Sequence, residues 1–113
     1  MSNTDVVRAC FTSYLAQDRA AMERLLAEDF VFTSPQDDHI DKATFLERCF
    51  PTAGRFRSQV VLDVVPTDGD EVFVRYEYEL KSGARHRNVE VMTVRDGRIT
   101  ETQVYFGGLF PQG

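Results

Sequence analysis

Residues 71–80 read Glu-Val-Phe-Val-Arg-Tyr-Glu-Tyr-Glu-Leu, and this stretch decides the fold class. Val72, Val74, Tyr76, Tyr78 and Leu80 alternate with Phe73, Arg75, Glu77 and Glu79. A period of two is what a strand imposes when one face is buried and the other meets water. Turn residues bound the strand on both sides: Pro66-Thr-Asp-Gly-Asp70 before it and Ser82-Gly83 after it. Beyond those turns lie two more strand patterns, Phe56 to Val65 and Arg87 to Val94. Asp96-Gly97 is a hairpin signal that leads into a last strand, Arg98 to Phe106. The second half of the chain is therefore predicted to be four hairpin-linked strands.

Working upstream, the pattern changes to helix. Between Asp5 and Gln17, Val7, Cys10, Phe11, Tyr14 and Leu15 recur at three and four, a single helical stripe, with Asn3 or Thr4 able to cap it. Asp18 reads as the N-cap of a shorter helix with Met22, Leu25 and Leu26 inside, ended by Glu28-Asp29. Phe30 to Thr33 reads as a short strand, and Ser34 to His39 as a polar connection in which Pro35 forbids pairing. Asp41 caps a third helix, Lys42 to Cys49, stopped by Pro51. The order is α-α-β-α-β-β-β-β. Helices gathered ahead of hairpin-linked strands predict an α+β fold, three helices packed on a curved antiparallel sheet. No repeat, linker or low-complexity run divides residues 1–113, so one domain is expected.

Composition narrows the function classes. The chain has 113 residues, 42% of them hydrophobic, with 9 Phe and 4 Tyr and no Trp. Its net charge of −5 argues against nucleic acid and anionic membrane surfaces, both of which need basic patches. No apolar run approaches the roughly 20 residues that span a bilayer, and the start, Met-Ser-Asn-Thr-Asp, has no secretion-signal pattern. A cytoplasmic location is expected. Cys10 and Cys49 both fall in helical patterns and read as free thiols. His39 and His86 show no metal-ligand spacing, so no metal site is expected.

Three stretches carry a resemblance: Phe32 to Pro35, Ile40 to Pro51, and Asn88 to Gly97 running on to Val104-Tyr-Phe-Gly107. With the order of elements, they resemble the SnoaL-like family within the nuclear transport factor 2-like (NTF2-like) superfamily, a cone-shaped, cystatin-like fold. The resemblance spans nearly the whole chain. It implies a deep apolar pocket between helices and sheet, with a few polar groups inside. It also implies acid–base chemistry without a cofactor on an apolar oxygenated small molecule: isomerisation, cyclisation, dehydration or epoxide hydrolysis. Compared with ketosteroid isomerases, the general-base position before Pro35 is Ser34, and the oxyanion-binding Tyr of the first helix falls on Cys10. The second oxyanion donor, an acid, matches Glu90. One of three is present.

Strand parity puts Asn88, Glu90 and Met92 on one face, which the resemblance turns toward the pocket. A carboxyl in such a pocket has its pKa raised by desolvation and can act as acid or base near neutrality. The partner of Glu90 depends on the hairpin. A two-residue Asp96-Gly97 loop sets it against Gln103, and a three-residue loop sets it against Thr102. The resemblance favours the second, with Thr102 and Val104 inward and Tyr105 outward. Asp38 beside His39 is a second candidate acid–base pair at the pocket mouth, set against a solvated loop with turn hydrogen bonds. Tyr14, Tyr76 and Tyr78 combine apolar walls with hydroxyls that could position a ligand oxygen, or simply pack. Phe32 and Ser34 complete the predicted lining, Ser34 more as a turn residue than a nucleophile. Arg85, His86 and Arg87 read as a solvated strand end. Phe73, Ile99 and Tyr105 are predicted on exposed strand faces, where they could support a homodimer or an assembly module without catalysis.

Overall fold

The protein is described from a computed structural model over residues 1–111. Helix α1, Asn3–Ala16, starts one cap earlier than the sequence suggested. Ser2 accepts from the Asp5 N–H while the Asp5 carboxylate accepts from the Ser2 N–H, a reciprocal box that satisfies two free donors. Gln17 ends α1 in the left-handed region, and Asp18 caps α2, Arg19–Leu25, by accepting from Ala21. Strand β1 then runs Leu26–Ser34. Leu26 and Glu28-Asp29 thus belong to the strand rather than to the second helix. What draws them in is a parallel partner distant in sequence, since Leu26 lies opposite Ile99 in the last strand.

A second difference follows at once. Asp37–Asp41 is strand β2, not loop, and the turn is confined to Pro35-Gln36. It pairs antiparallel with β1, Phe32 opposite Ile40 and Ser34 opposite Asp37. As an edge strand it pairs on one side only, so its charged sequence is tolerated and even protects the edge. Asp41 accepts from Thr44 at 2.9 Å to cap α3, Lys42–Arg48. Pro51 ends α3, but the chain continues in a 3-10 turn, Phe50–Arg55, with proline at its start, where a missing N–H costs nothing.

The remaining strands are β3 (Phe56–Pro66), β4 (Glu71–Leu80), β5 (Arg85–Arg95) and β6 (Arg98–Leu109). All six strands form one sheet in the order β2-β1-β6-β5-β4-β3. It is mixed rather than wholly antiparallel, because β1 runs parallel to β6. The β5–β6 register matches neither expected alternative. Asp96 and Gly97 both have positive φ, 52° and 76°, so the loop is a two-residue turn with Arg95 opposite Arg98 and Val94 opposite Ile99. An extra residue, Thr100, then shifts the ladder so that Thr93 faces Glu101 and Glu90 faces Val104. The bulge reverses parity along β6. Ile99, predicted on an exposed face, is therefore completely buried on the same side as Thr102 and Val104.

The helices cover that side. Val6, Val7, Cys10 and Phe11 of α1, Met22 and Leu25 of α2, and Phe45 and Leu46 of α3 pack on Val72, Val74, Met92 and Val94. Phe30, 1% exposed, meets Phe45 edge-on at 5.2 Å, and full burial of such a ring contributes roughly 1.5–3 kcal/mol. Among the described residues no helix is long and apolar enough to cross a membrane.

Candidate active site

The sheet bends away from the helices at one end and leaves a cavity of ≈ 730 Å³. Bulges in β3 at Phe56/Ser58 and Val61/Asp63 supply part of that curvature. Glu90 lies in its wall, because β5 parity turns Asn88, Glu90 and Met92 inward together. Its neighbour across the ladder is Val74, and Tyr76 sits one step along opposite Asn88. These placements assemble a short chain of hydrogen bonds. The Asn88 Nδ2 donates to the Tyr76 hydroxyl at 3.2 Å, and that hydroxyl donates to Glu90 Oε2 at 2.5 Å.

The chain has a direction. Because Tyr76 receives the amide proton, its own proton is aimed at the carboxyl. Oε2 of Glu90 is thereby fixed as an acceptor, and in the neutral acid the proton belongs on Oε1. Burial pushes the Glu90 carboxyl up to about 7, with the Tyr76 hydrogen bond pulling the other way. Burial likewise drives the Tyr76 hydroxyl far above its ordinary range, reinforced by the Glu90 charge, so Tyr76 stays a donor. Tyr14 is raised to about 12 by burial, and its hydroxyl shares a 2.5 Å hydrogen bond with Thr52. Cys10 is buried, with its thiol raised by desolvation, and leans on the Met22 sulfur at 3.8 Å. Both cysteines are free.

Phe32, Ser34, Tyr14, Tyr76, Tyr78, Asn88, Met92 and Thr102 all line this cavity with Glu90. Asp38 and His39 do not. They form a 2.6 Å pair on the outer surface, with side chains 91% and 67% exposed. His39 adjoins a shallow depression bordered by Val31, Glu71, Arg95 and Glu101, on the side of the sheet away from the helices. Ser34 accepts from the Gln36 and Asp37 N–H groups, which makes it the turn residue of the β1–β2 hairpin. Asn88 thus holds the Tyr76 hydroxyl, and that hydroxyl holds the Glu90 carboxyl.

The mouth carries residues that were not among the predicted lining. Asp37 at the rim is paired with Arg48 at 3.7 Å, and Cys49, raised to about 12 by burial and by Asp37, points at the same carboxylate. Arg55, Gln59 and His86 also line the cavity. His86 had a signal in the sequence: it shares the even-numbered parity of Asn88 and Glu90, while Arg85 and Arg87 point outward over the Phe110 ring. Among the described residues no group of three His, Cys, Asp or Glu is placed to hold a metal ion.

Three helices packed over a curved, six-stranded mixed sheet define an NTF2-like fold. The SnoaL-like domain family matches residues 7–102, and the chain belongs to that family. No curated protein matches it. Among solved structures it is similar to IdmH from Streptomyces antibioticus, named as a candidate polyketide cyclase. The two share 22% identity and a TM-score of 0.78 over 95% of this chain and 93% of that one. It is also similar to a candidate ketosteroid isomerase from Kribbella flavida (17% identity, TM-score 0.77, 98% and 82% covered). An NTF2-like protein from Cytophaga hutchinsonii aligns at 21% identity and TM-score 0.74 over 94% and 90%. At these identities the likeness concerns the fold.

Proposed function

We propose that the cavity binds an apolar oxygenated small molecule and that Glu90 moves a proton on it without a cofactor. The observation that carries this reading is the aimed carboxyl: one oxygen tied to Tyr76, the other open to an aromatic-walled cavity, and a pKa near 7. A group poised at that value exchanges protons readily in both directions at neutral pH. The ionised form takes a proton from a carbon next to a carbonyl, breaking that C–H bond and leaving an enolate. The proton rests on Oε1. Where a C=C is conjugated with the enolate, the proton returns to the far carbon of that system and the double bond shifts, which is isomerisation. Where the adjacent carbon bears a hydroxyl, the proton goes to that oxygen as the C–O bond breaks and a C=C forms, releasing water, which is dehydration.

Deuterium exchange tests this. With 2-tetralone as a probe in D2O, the protein is expected to accelerate loss of the protons next to the carbonyl, with a rate rising through about pH 7. Glu90→Gln should lose roughly a hundredfold or more of that acceleration, the ordinary worth of a positioned acid–base group. Equal rates with the variant would remove Glu90 from the chemistry. A second reading has its own observation. Val65, Phe73 and Tyr105 remain 53%, 42% and 55% exposed on the sheet side away from the helices, a surface on which two copies could pair.

A further inference from the structure

We propose that the ligand is an apolar carboxylate, its hydrophobic body inside the cavity and its singly charged end at the mouth against Arg55. This rests on the small-molecule reading of the cavity and names the substrate class. The first observation is charge. The chain carries a net −5, yet the cavity wall does not share that sign. Asp37 is balanced by Arg48, and Glu90 is neutral below about pH 7. Away from the cavity Arg19, Arg57, Arg75 and Arg95 are each paired with a carboxylate, whereas Arg8, Arg24, Arg85, Arg87 and Arg98 have no such pair among the described residues. Arg55 lines the cavity and has no carboxylate partner among the described residues. A guanidinium is a planar fork whose geometry matches a carboxylate.

The second observation is position. Arg55 ends the 3-10 turn and immediately precedes Phe56. The Phe56 ring stacks on Tyr78 at 4.7 Å and 4°, and Tyr78 stacks on His86 at 5.0 Å and 13°. Arg55 thus stands at one end of a three-ring wall and His86 at the other. Neither the His86 ring nor the Gln59 amide hydrogen-bonds to another described residue, although both border the cavity. The mouth offers one uncommitted cation and two uncommitted polar groups beside flat aromatic surface. One cation matches one negative charge. A doubly charged phosphate would be left half neutralised, whereas a carboxylate is not.

The test uses 6-acetyl-2-naphthoate and its neutral counterpart 6-acetyl-2-naphthamide, followed by naphthalene fluorescence at about pH 6, where Glu90 is mostly protonated. The folded protein is expected to bind the acid roughly tenfold more tightly than the amide, a preference that weakens with added salt. Arg55→Gln should bring the two probes to parity by weakening the acid alone, and Arg55→Lys should restore most of the preference. Arg98→Gln, an exposed arginine of the β5–β6 hairpin, should leave the ratio unchanged. Equal binding of both probes, no binding of the acid up to about 1 mM, or a preference that survives Arg55→Gln overturns the proposal. A preference without Glu90-dependent exchange retires the proton-transfer reading, and exchange without a preference retires this one.

Discussion

Glu90 makes the protein's stability depend on pH in an unusual sense for a carboxylate. Its folded value of about 7 stands above the ordinary 4.5. Between those values the folded chain holds a proton that the unfolded chain has released, so stability falls as pH rises through that window and levels off above it. At about 1.4 kcal/mol per pH unit, the ionised carboxyl costs up to about 3 kcal/mol above pH 7. Glu90→Gln keeps the shape and an acceptor for Tyr76 but cannot ionise. Urea unfolding at pH 4.5 and pH 8 should therefore show the variant gaining about 2–3 kcal/mol on wild type between the two conditions. Tyr76→Phe acts on the same group from the other side. It deletes the one contact that favours the ionised form, so the Glu90 carboxyl should titrate higher still, read from its carbon chemical shift. A downward move would mean that Tyr76 does not donate to it.

The elements that were legible in the sequence are those whose signals are local. β4 could be read from its own alternation, and the hairpins flanking it from Asp-Gly and Ser-Gly turns. Asp18 and Asp41 announced two helix starts, because a capping carboxylate lies three residues from the N–H it accepts. β2 was not legible: Asp37-Asp38-His39 has neither alternation nor β-branching, and it pairs only because β1 offers a free edge. The Thr100 bulge left no mark either, since one extra residue has no compositional signature. That bulge decided which face Ile99 occupies and which residue faces Glu90. For the site, parity grouped Asn88, Glu90 and Met92 on one face and only the resemblance turned that face inward, whereas His39 was misplaced because its position depended on the unread strand. A prediction belongs at this scale as well. A Cβ on Gly107 would lie 2.6 Å from the Arg87 carbonyl oxygen, a backbone atom that cannot step aside. Gly107→Ala should destabilise the protein by about 1–3 kcal/mol, seen as a lower urea midpoint with an unchanged slope.

At the scale of the whole molecule, the two sides of the sheet have different occupations. One side faces the helices and the cavity, and the other leaves Val65, Phe73 and Tyr105 open. If two copies pair there, light scattering at micromolar concentration should give twice the chain mass, and Phe73→Glu with Tyr105→Glu should give the single mass with exchange activity retained. A wild-type monomer would set that surface aside. The parallel seam between β1 and β6 has a kinetic consequence. β3 to β6 can zip from adjacent turns, each closing a short loop, whereas Leu26 must find Ile99 across most of the chain. Loop-closure entropy makes such distant pairings the slow ones. We expect the hairpin sheet to form early and the seam late, so the chamber around Glu90 is completed only as the last steps of folding bring the two halves of the polypeptide together.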